Sequence, residues 1–127
     1  MYSARLLEHF EHPRFAGDLP GATARVRIEN PACGDILEIA ALVEDGVVRE
    51  ARFKAKGCVP AMACGSAIAA LIHGQSVAQL LKIRREDVLR EVESVPQASG
   101  HAVHLALDAA SQLWKELAAQ TSASKSR

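Results

Sequence analysis

The sequence predicts an α+β domain in which helices cover a small antiparallel β-sheet. Segments with alternating apolar and charged residues cluster in the first half of the chain, and segments with helical spacing dominate the second half. No regular alternation of strand and helix is present, so a parallel α/β fold is not favoured. The 127 residues, 49% of them apolar, suffice for one domain with its own core.

A short helix opens the chain. Ser3 can cap this helix, and Leu6, Leu7 and Phe10 lie on one face of it. The residue before a proline avoids the helical region of backbone space, so the helix should end ahead of Pro13.

Three strands are predicted after this helix, over residues 24–28, 37–43 and 47–55. In each segment apolar residues occupy every second position, and charged residues fill most of the positions between them. This period of two is typical of strands with one buried and one exposed face.

The turn between the last two strands sets the register of the predicted hairpin. Glu44-Asp45-Gly46 fits a three-residue loop with glycine in the left-handed conformation. That loop pairs Val43 with Val47 and Leu37 with Phe53, which keeps the apolar residues of both strands on one face. A two-residue loop would mix the faces, so the three-residue loop is favoured.

Helices are predicted for residues 61–73 and 84–93, and a third helix begins near His101. Ser76-x-x-Gln79 has the pattern of a capping box. We expect residues 1–120 to form a single domain and residues 121–127, which are polar and lack large apolar side chains, to form a disordered tail.

Bulk properties exclude several classes of partner. Lysine and arginine balance aspartate and glutamate at 15 each, so we expect no nucleic-acid partner and no membrane partner. No apolar run reaches the length of a membrane span, and the N-terminus lacks the features of a signal peptide. Three cysteines without CxxC spacing suit a reducing compartment, and a cytoplasmic location follows as an expectation.

Two cysteines that are distant in sequence should meet at one edge of the sheet. The predicted register places Cys33 opposite Gly57, beside Cys58, and Asp35 points to the same side as Cys33. Cys58 precedes a helix, whose N-terminal dipole favours an anion, and Lys56 is nearby. We therefore expect the pKa of the Cys58 thiol to be lowered.

The remaining candidates have simpler explanations. A cysteine considered alone is often a small buried hydrophobe, and we expect Cys64 to pack against the sheet, with ligation of a metal as the alternative. Each of the five histidines considered alone suits a surface position or a satisfied position.

Three segments resemble motifs of the IscU/NifU-type iron–sulfur scaffold family. They are His9-Phe10-Glu11-His12-Pro13-Arg14-x-x-Gly17, Pro31-Ala32-Cys33-Gly34-Asp35 and Ala51-Arg52-Phe53-Lys54-x-x-Gly57-Cys58. The resemblance extends from about Tyr2 to Leu117, with the motifs in the family's order and nearly at its spacing.

The resemblance implies an IscU/SufE-like fold and a non-enzymatic role in assembling and transferring iron–sulfur clusters. It implies that Cys33, Asp35, Cys58 and His101 bind the metal, either as a labile [2Fe–2S] cluster or as Zn²⁺. The family's third ligand cysteine directly follows the histidine, whereas this sequence has Ala102 there. The implied partners are a cysteine desulfurase and iron–sulfur acceptor proteins.

Two departures from the family pattern leave alternatives open. The motif that an Hsp70-type chaperone grips is replaced by Val95-Pro96-Gln97-Ala98-Ser99, which argues against chaperone-driven release. The missing thiol leaves a donor set that also suits zinc, so a divergent zinc-binding member that regulates a desulfurase, or accepts sulfur from it, is the alternative. A zinc hydrolase would need a general base, for which Glu38 or His104 could be nominated only arbitrarily.

Overall fold

The computed structural model describes residues 2–31 and 34–125, and for residues 121–125 it describes the backbone alone. Over these residues the chain has the predicted α+β architecture, an antiparallel sheet with helices. The elements are α1 (Ala4–Glu11), β1 (Ala24–Asn30), β2 (Asp35–Glu44), β3 (Val47–Lys56), α2 (Val59–Ile72), α3 (Arg85–Val92), α4 (Gly100–Lys125) and the short 3₁₀ helices Val77–Lys82 and Gln97–Ser99.

The sheet has the strand order β1-β2-β3, with both neighbouring pairs antiparallel. One face carries the core, to which Val26, Leu37 and Ile39 contribute buried side chains. Helices α2 and α4 contact the sheet and each other, so the core lies between the sheet and these helices. The predicted alternation of the strands is therefore confirmed.

The predicted register of the β2–β3 hairpin is wrong by two residues. Leu37 lies opposite Ala55 instead of Phe53. The loop has two residues, Asp45 and Gly46, and both have positive φ, 53° and 73°. Two consecutive positive φ values define a type I′ turn, for which Asp-Gly is a favoured sequence.

A β-bulge explains why this two-residue loop does not mix the two faces of the hairpin. Leu42 pairs with Glu50 and Val43 pairs with Val48, so Arg49 is an extra residue on β3. The extra residue restores the alternation that the short loop would otherwise invert. Val48 is consequently fully buried, and Val47 is only partly buried.

The segment after α1 pairs with the outer edge of β3. The N–H of Phe53 donates to the carbonyl of Phe15, and the N–H of Gly17 donates to the carbonyl of Phe53, both at 2.9 Å. Ala16 forms the corresponding parallel bridge. The N-terminal motif thus covers part of an edge that would otherwise expose unpaired backbone groups.

Helix α1 begins at the predicted cap and buries Leu6 as predicted, but its buried face is rotated away from Leu7. The Ser3 hydroxyl accepts a hydrogen bond from the N–H of Leu6 at 3.0 Å, as expected, and also donates to the carbonyl of Val92. Leu7, however, is 36% exposed, and His9 is buried in its place.

The later helices follow the predicted order. Helix α2 is apolar on all sides and its middle is fully buried. Ser76 precedes a 3₁₀ helix without forming a side-chain cap, so the predicted capping box is wrong. The backbone of α4 continues past Gln120 to Lys125, while the domain boundary at residue 120 and the disordered tail stay predictions.

Candidate metal-binding site

Three potential metal ligands meet where β2, α2 and α4 begin. Asp35 is the first residue of β2, Cys58 is the N-cap residue of α2, and His101 lies in the first turn of α4. One ligand atom of each residue lies within 4.8 Å of the others. Asp35 is 1% exposed, whereas Cys58 and His101 are half-buried and therefore accessible from solvent.

Hydrogen bonds orient the three side chains toward one another. The Cys58 N–H donates to Oδ1 of Asp35 at 3.0 Å, and the Cys58 thiol donates to Oδ2 at 3.5 Å. Nε2 of His101 lies 3.1 Å from Oδ2 of Asp35 and 3.7 Å from Sγ of Cys58. A buried carboxylate is thus satisfied by the same groups that would share a metal ion with it.

The observed register explains why Asp35 reaches Cys58. Ile36 pairs with Lys56, so the next pair brings Asp35 opposite Gly57, the position that we predicted for Cys33. The part of that prediction that concerns Cys33 lies outside the described residues. The sequence contained the signal for the correct register, because Asp45-Gly46 is typical of a two-residue hairpin loop.

The expectation of a lowered pKa at Cys58 is wrong. Burial raises the pKa of the Cys58 thiol above its ordinary value, and the negative charge of Asp35 raises it further. The backbone N–H of Ala61 at the start of α2 opposes this shift but does not reverse it. Lys56 is exposed and is not among the causes of the shift. A metal that binds Cys58 must therefore displace the thiol proton, which is released to solvent.

Cys64 is a core residue. It is fully buried in α2, and burial raises the pKa of its thiol to about 12. It does not belong to the group formed by Asp35, Cys58 and His101. This environment supports the expected packing role for Cys64.

The residue after His101 contributes no ligand atom. Ala102 is 1% exposed and its methyl group packs in the core. Two of the other histidines are engaged elsewhere: the imidazole of His73 stacks on Phe15 at a centroid distance of 4.0 Å, and His9 contacts Ser66. Within the described part of the chain, Asp35, Cys58 and His101 form the one group of three side chains with metal-ligand geometry.

No helix among the described residues has both the length and the apolar character needed to cross a bilayer. Residues 95–99, where the sequence departs from the family pattern, lie between α3 and α4, partly in the 3₁₀ helix Gln97–Ser99.

A family comparison agrees with this geometry. Residues 1–123 match the family described as the NifU-like N terminal domain. The chain belongs to this family.

Several curated relatives are named as iron–sulfur cluster assembly scaffold proteins. This chain is 33% identical over 112 residues to the iron–sulfur cluster assembly scaffold protein IscU of Escherichia coli K12, covering 85% of this chain and 87% of the relative. It is 32% identical over 109 residues to IscU 1 of Archaeoglobus fulgidus, covering 86% and 71%.

The fold of this NifU-like domain also matches a solved structure. The N-terminal part of a NifU-like protein from Brucella abortus aligns with a TM-score of 0.71 and 20% identity, over 90% of this chain and 92% of that one.

Proposed function

We propose that this NifU-like domain is a scaffold and carrier for iron–sulfur clusters. The observation that carries the proposal is the convergence of Asp35, Cys58 and His101 at one partly exposed site. A thiolate, an imidazole and a carboxylate supply three ligands of different softness, and Cys33, two residues before Asp35, is the proposed fourth. The metal ion or cluster is cargo in this role, so the protein transfers it rather than turning over a substrate.

Partial exposure supports the transfer role. Cys58 and His101 remain accessible while Asp35 is buried beneath them. A closed structural metal site would enclose its ligands, whereas a donor site must be reached by a sulfur source and by an acceptor. We therefore propose a cysteine desulfurase and iron–sulfur acceptor proteins as partners, with a cytoplasmic location as an expectation. The replaced chaperone motif argues against release by an Hsp70-type chaperone.

One observation favours zinc as the alternative cargo. Ala102 places a methyl group where the family pattern has a third thiol. Two cysteines, one histidine and one aspartate form a set of four donors that suits tetrahedral Zn²⁺ and needs no redox chemistry. Under this alternative the protein regulates a desulfurase, or accepts sulfur from it, without building a cluster.

Anaerobic reconstitution with ferrous iron, a desulfurase, its cysteine substrate and a thiol that reduces the persulfide sulfur to sulfide tests the two cargoes. A scaffold develops the visible absorbance of a [2Fe–2S] cluster, whereas a zinc protein stays colourless and retains one zinc per chain by metal analysis. Cargo binding should be lost in Cys58→Ser and kept in Cys64→Ser, because Cys64 is a fully buried core residue. A parent protein that retains neither cargo, or retention by Cys58→Ser, would contradict the proposal.

A further inference from the structure

Asp35 occupies the space that a side chain at position 57 would need. A Cβ atom added to Gly57 would lie 2.8 Å from Cγ of Asp35 and closer still to Oδ1. Such separations are well inside van der Waals contact, so the carboxylate and any side chain at position 57 exclude each other. Among the glycines of the described chain, Gly57 is the one whose added Cβ would meet an ionisable group.

The position of the carboxylate over Gly57 gives it two partners at once. Oδ1 accepts from the Cys58 N–H at 3.0 Å, while Oδ2 lies 3.1 Å from Nε2 of His101. Asp35 is 1% exposed, so the carboxylate has no solvent-filled space into which it could move if it were displaced. A methyl group at position 57 would therefore break at least one of these two contacts.

We propose that Gly57 is a positioning residue for the metal site. Because residue 57 has no side chain, the Asp35 carboxylate can occupy the space beside it and contact both Cys58 and His101. The expected effect on metal binding rests on the proposed function, whereas the spatial relation between Gly57 and Asp35 does not.

The backbone conformation at position 57 is a second reason for glycine, and it must be distinguished from the space that Asp35 needs. Gly57 has a φ of +140°, which disfavours any L side chain whatever its surroundings. Gly17 offers a matched control, because its φ is +126° and an added Cβ would meet nothing within 4 Å. Gly17→Ala thus imposes a comparable backbone strain, and its added Cβ stays clear of the Asp35 carboxylate.

A titration with Co²⁺, monitored by the absorbance of its thiolate complex, tests the effect on the site. Gly57→Ala should weaken Co²⁺ binding by about 10- to 100-fold, the loss typical when a group that orients metal ligands is disturbed. Gly17→Ala should bind Co²⁺ as the parent does. Equal affinities of parent and Gly57→Ala, or equal losses in both variants, would overturn the proposal.

A double-mutant cycle in the metal-free protein tests the same geometry without metal. Asp35→Ala removes Cγ and both oxygens, so of the three atoms nearest to the added Cβ only the Cα of residue 35 remains, at 3.0 Å. Gly57→Ala should therefore lower the melting temperature much less in the Asp35→Ala background than in the parent. If Gly57→Ala lowers the melting temperature equally in both backgrounds, glycine is needed only for the positive φ at position 57, and the proposal is overturned.

The two measurements also separate this inference from the proposed function. If the parent binds no Co²⁺, the proposed function fails, and the double-mutant cycle alone decides the role of Gly57. If Gly57→Ala does not fold, recovery of folding in Gly57→Ala/Asp35→Ala supports the inference. If the double variant also fails while Asp35→Ala and Gly17→Ala fold, the inference is overturned.

Discussion

At the scale of single residues, Asp35 shows how burial and function are combined. A carboxylate that is 1% exposed needs hydrogen-bond donors, and Cys58 and His101 supply them. Sequence reasoning placed Asp35 at the site, but it assigned the position opposite Gly57 to Cys33. The difference is a shift of two residues, which leaves side chains on the same face and is therefore invisible to an argument from alternation.

Replacing Ala102 by cysteine should make a bound cluster more stable. Ala102→Cys adds a soft thiol ligand beside His101, so a reconstituted cluster should survive longer than in the parent. The decay of its visible absorbance in air measures this lifetime. Ala106→Cys, a fully buried position one turn further along α4, is the control and should have no effect. Equal lifetimes in all three proteins would mean that residue 102 does not reach the cargo.

Helix α2 approaches the sheet closely at Gly65, so a side chain added there should lower the stability of the fold. A Cβ there would lie 3.0 Å from Cδ1 of Leu37 and from Cδ2 of Phe53. Gly65→Ala should lower the free energy of unfolding by about 1–3 kcal/mol, because overpacking outweighs the better helix propensity of alanine. Gly100→Ala, which would meet nothing within 4 Å, should leave it unchanged or raise it. Urea denaturation distinguishes the two, and equal stabilities would contradict the close approach.

At the scale of elements, the buried side chain of His9 connects α1 to α2 and α3. Its Nδ1 lies 2.8 Å from the hydroxyl of Ser66 in α2, and its Nε2 lies 3.3 Å from the carboxylate of Glu91 in α3. The same hydroxyl accepts from the N–H of Arg14 at 2.7 Å. A neutral imidazole that carries its proton on Nε2 fits this series of hydrogen bonds, because Nδ1 can then accept from the Ser66 hydroxyl while Nε2 donates to the Glu91 carboxylate.

This contact predicts how stability changes with pH. Burial lowers the pKa of His9 below 6.5, and Glu91 only partly opposes the shift. Just below pH 6.5 the unfolded chain therefore binds more protons than the folded protein does. This contribution to stability is complete above pH 6.5 and is lost as the pH falls through the folded-state pKa.

Urea denaturation between about pH 7.5 and about pH 5.5 measures this effect. His9→Gln should remove this part of the acid-induced loss. Glu91→Gln should enlarge the loss, because it removes the charge that favours protonated His9. If the parent and His9→Gln lose stability equally over this range, His9 is not the responsible group.

The elements also show which parts of the fold were predictable. The Ser3 cap, the strand alternation and the helix predicted over residues 61–73 are local patterns, and each was confirmed. The hairpin register depends on a bulge at Arg49, which places Val48 and Ala51 on the same face although they are an odd number of positions apart. Asp45-Gly46 indicates the two-residue loop, but the apolar alternation alone favoured a longer loop with Val47 on the buried face, because it does not reveal the bulge.

The proximity of three predicted site residues could be foreseen, but the electrostatics of the site could not. Cys58 was placed by the hairpin register and by a motif, and His101 by the resemblance alone; the structure brings both to Asp35. The role of the four residues as ligands stays a prediction. The pKa of the Cys58 thiol was predicted in the wrong direction, because the sequence alone does not reveal how far Cys58 is buried or how close Asp35 lies. The burial of His9 was missed because the more apolar Leu7, on the opposite flank of Leu6, was expected to face the core instead.

At the scale of the whole molecule, the site joins segments that are far apart in the chain. Cys58 is 23 residues from Asp35 and 43 residues from His101. A metal held by all three would connect the sheet, α2 and α4 and would bind the folded protein in preference to the unfolded chain.

Metal binding should therefore stabilise the entire fold. At a free Zn²⁺ concentration 100 times the dissociation constant, the free energy of unfolding should rise by about 2.7 kcal/mol. Thermal denaturation with and without Zn²⁺ measures the effect. Cys58→Ser should show no increase, whereas Cys64→Ser should respond as the parent does. An unchanged melting temperature for the parent would show that Zn²⁺ does not join these elements.

The dispersal of the ligands also orders events during synthesis. When a ribosome has completed the hairpin and α2, the carboxylate and the thiol exist, but the imidazole of His101 has not yet been made. Cargo can meet the full set of ligands only after α4 has emerged and docked. Cargo should therefore be loaded only after the whole domain has been synthesised. A nascent chain that stalls before residue 101 lacks the imidazole ligand and should bind iron more weakly.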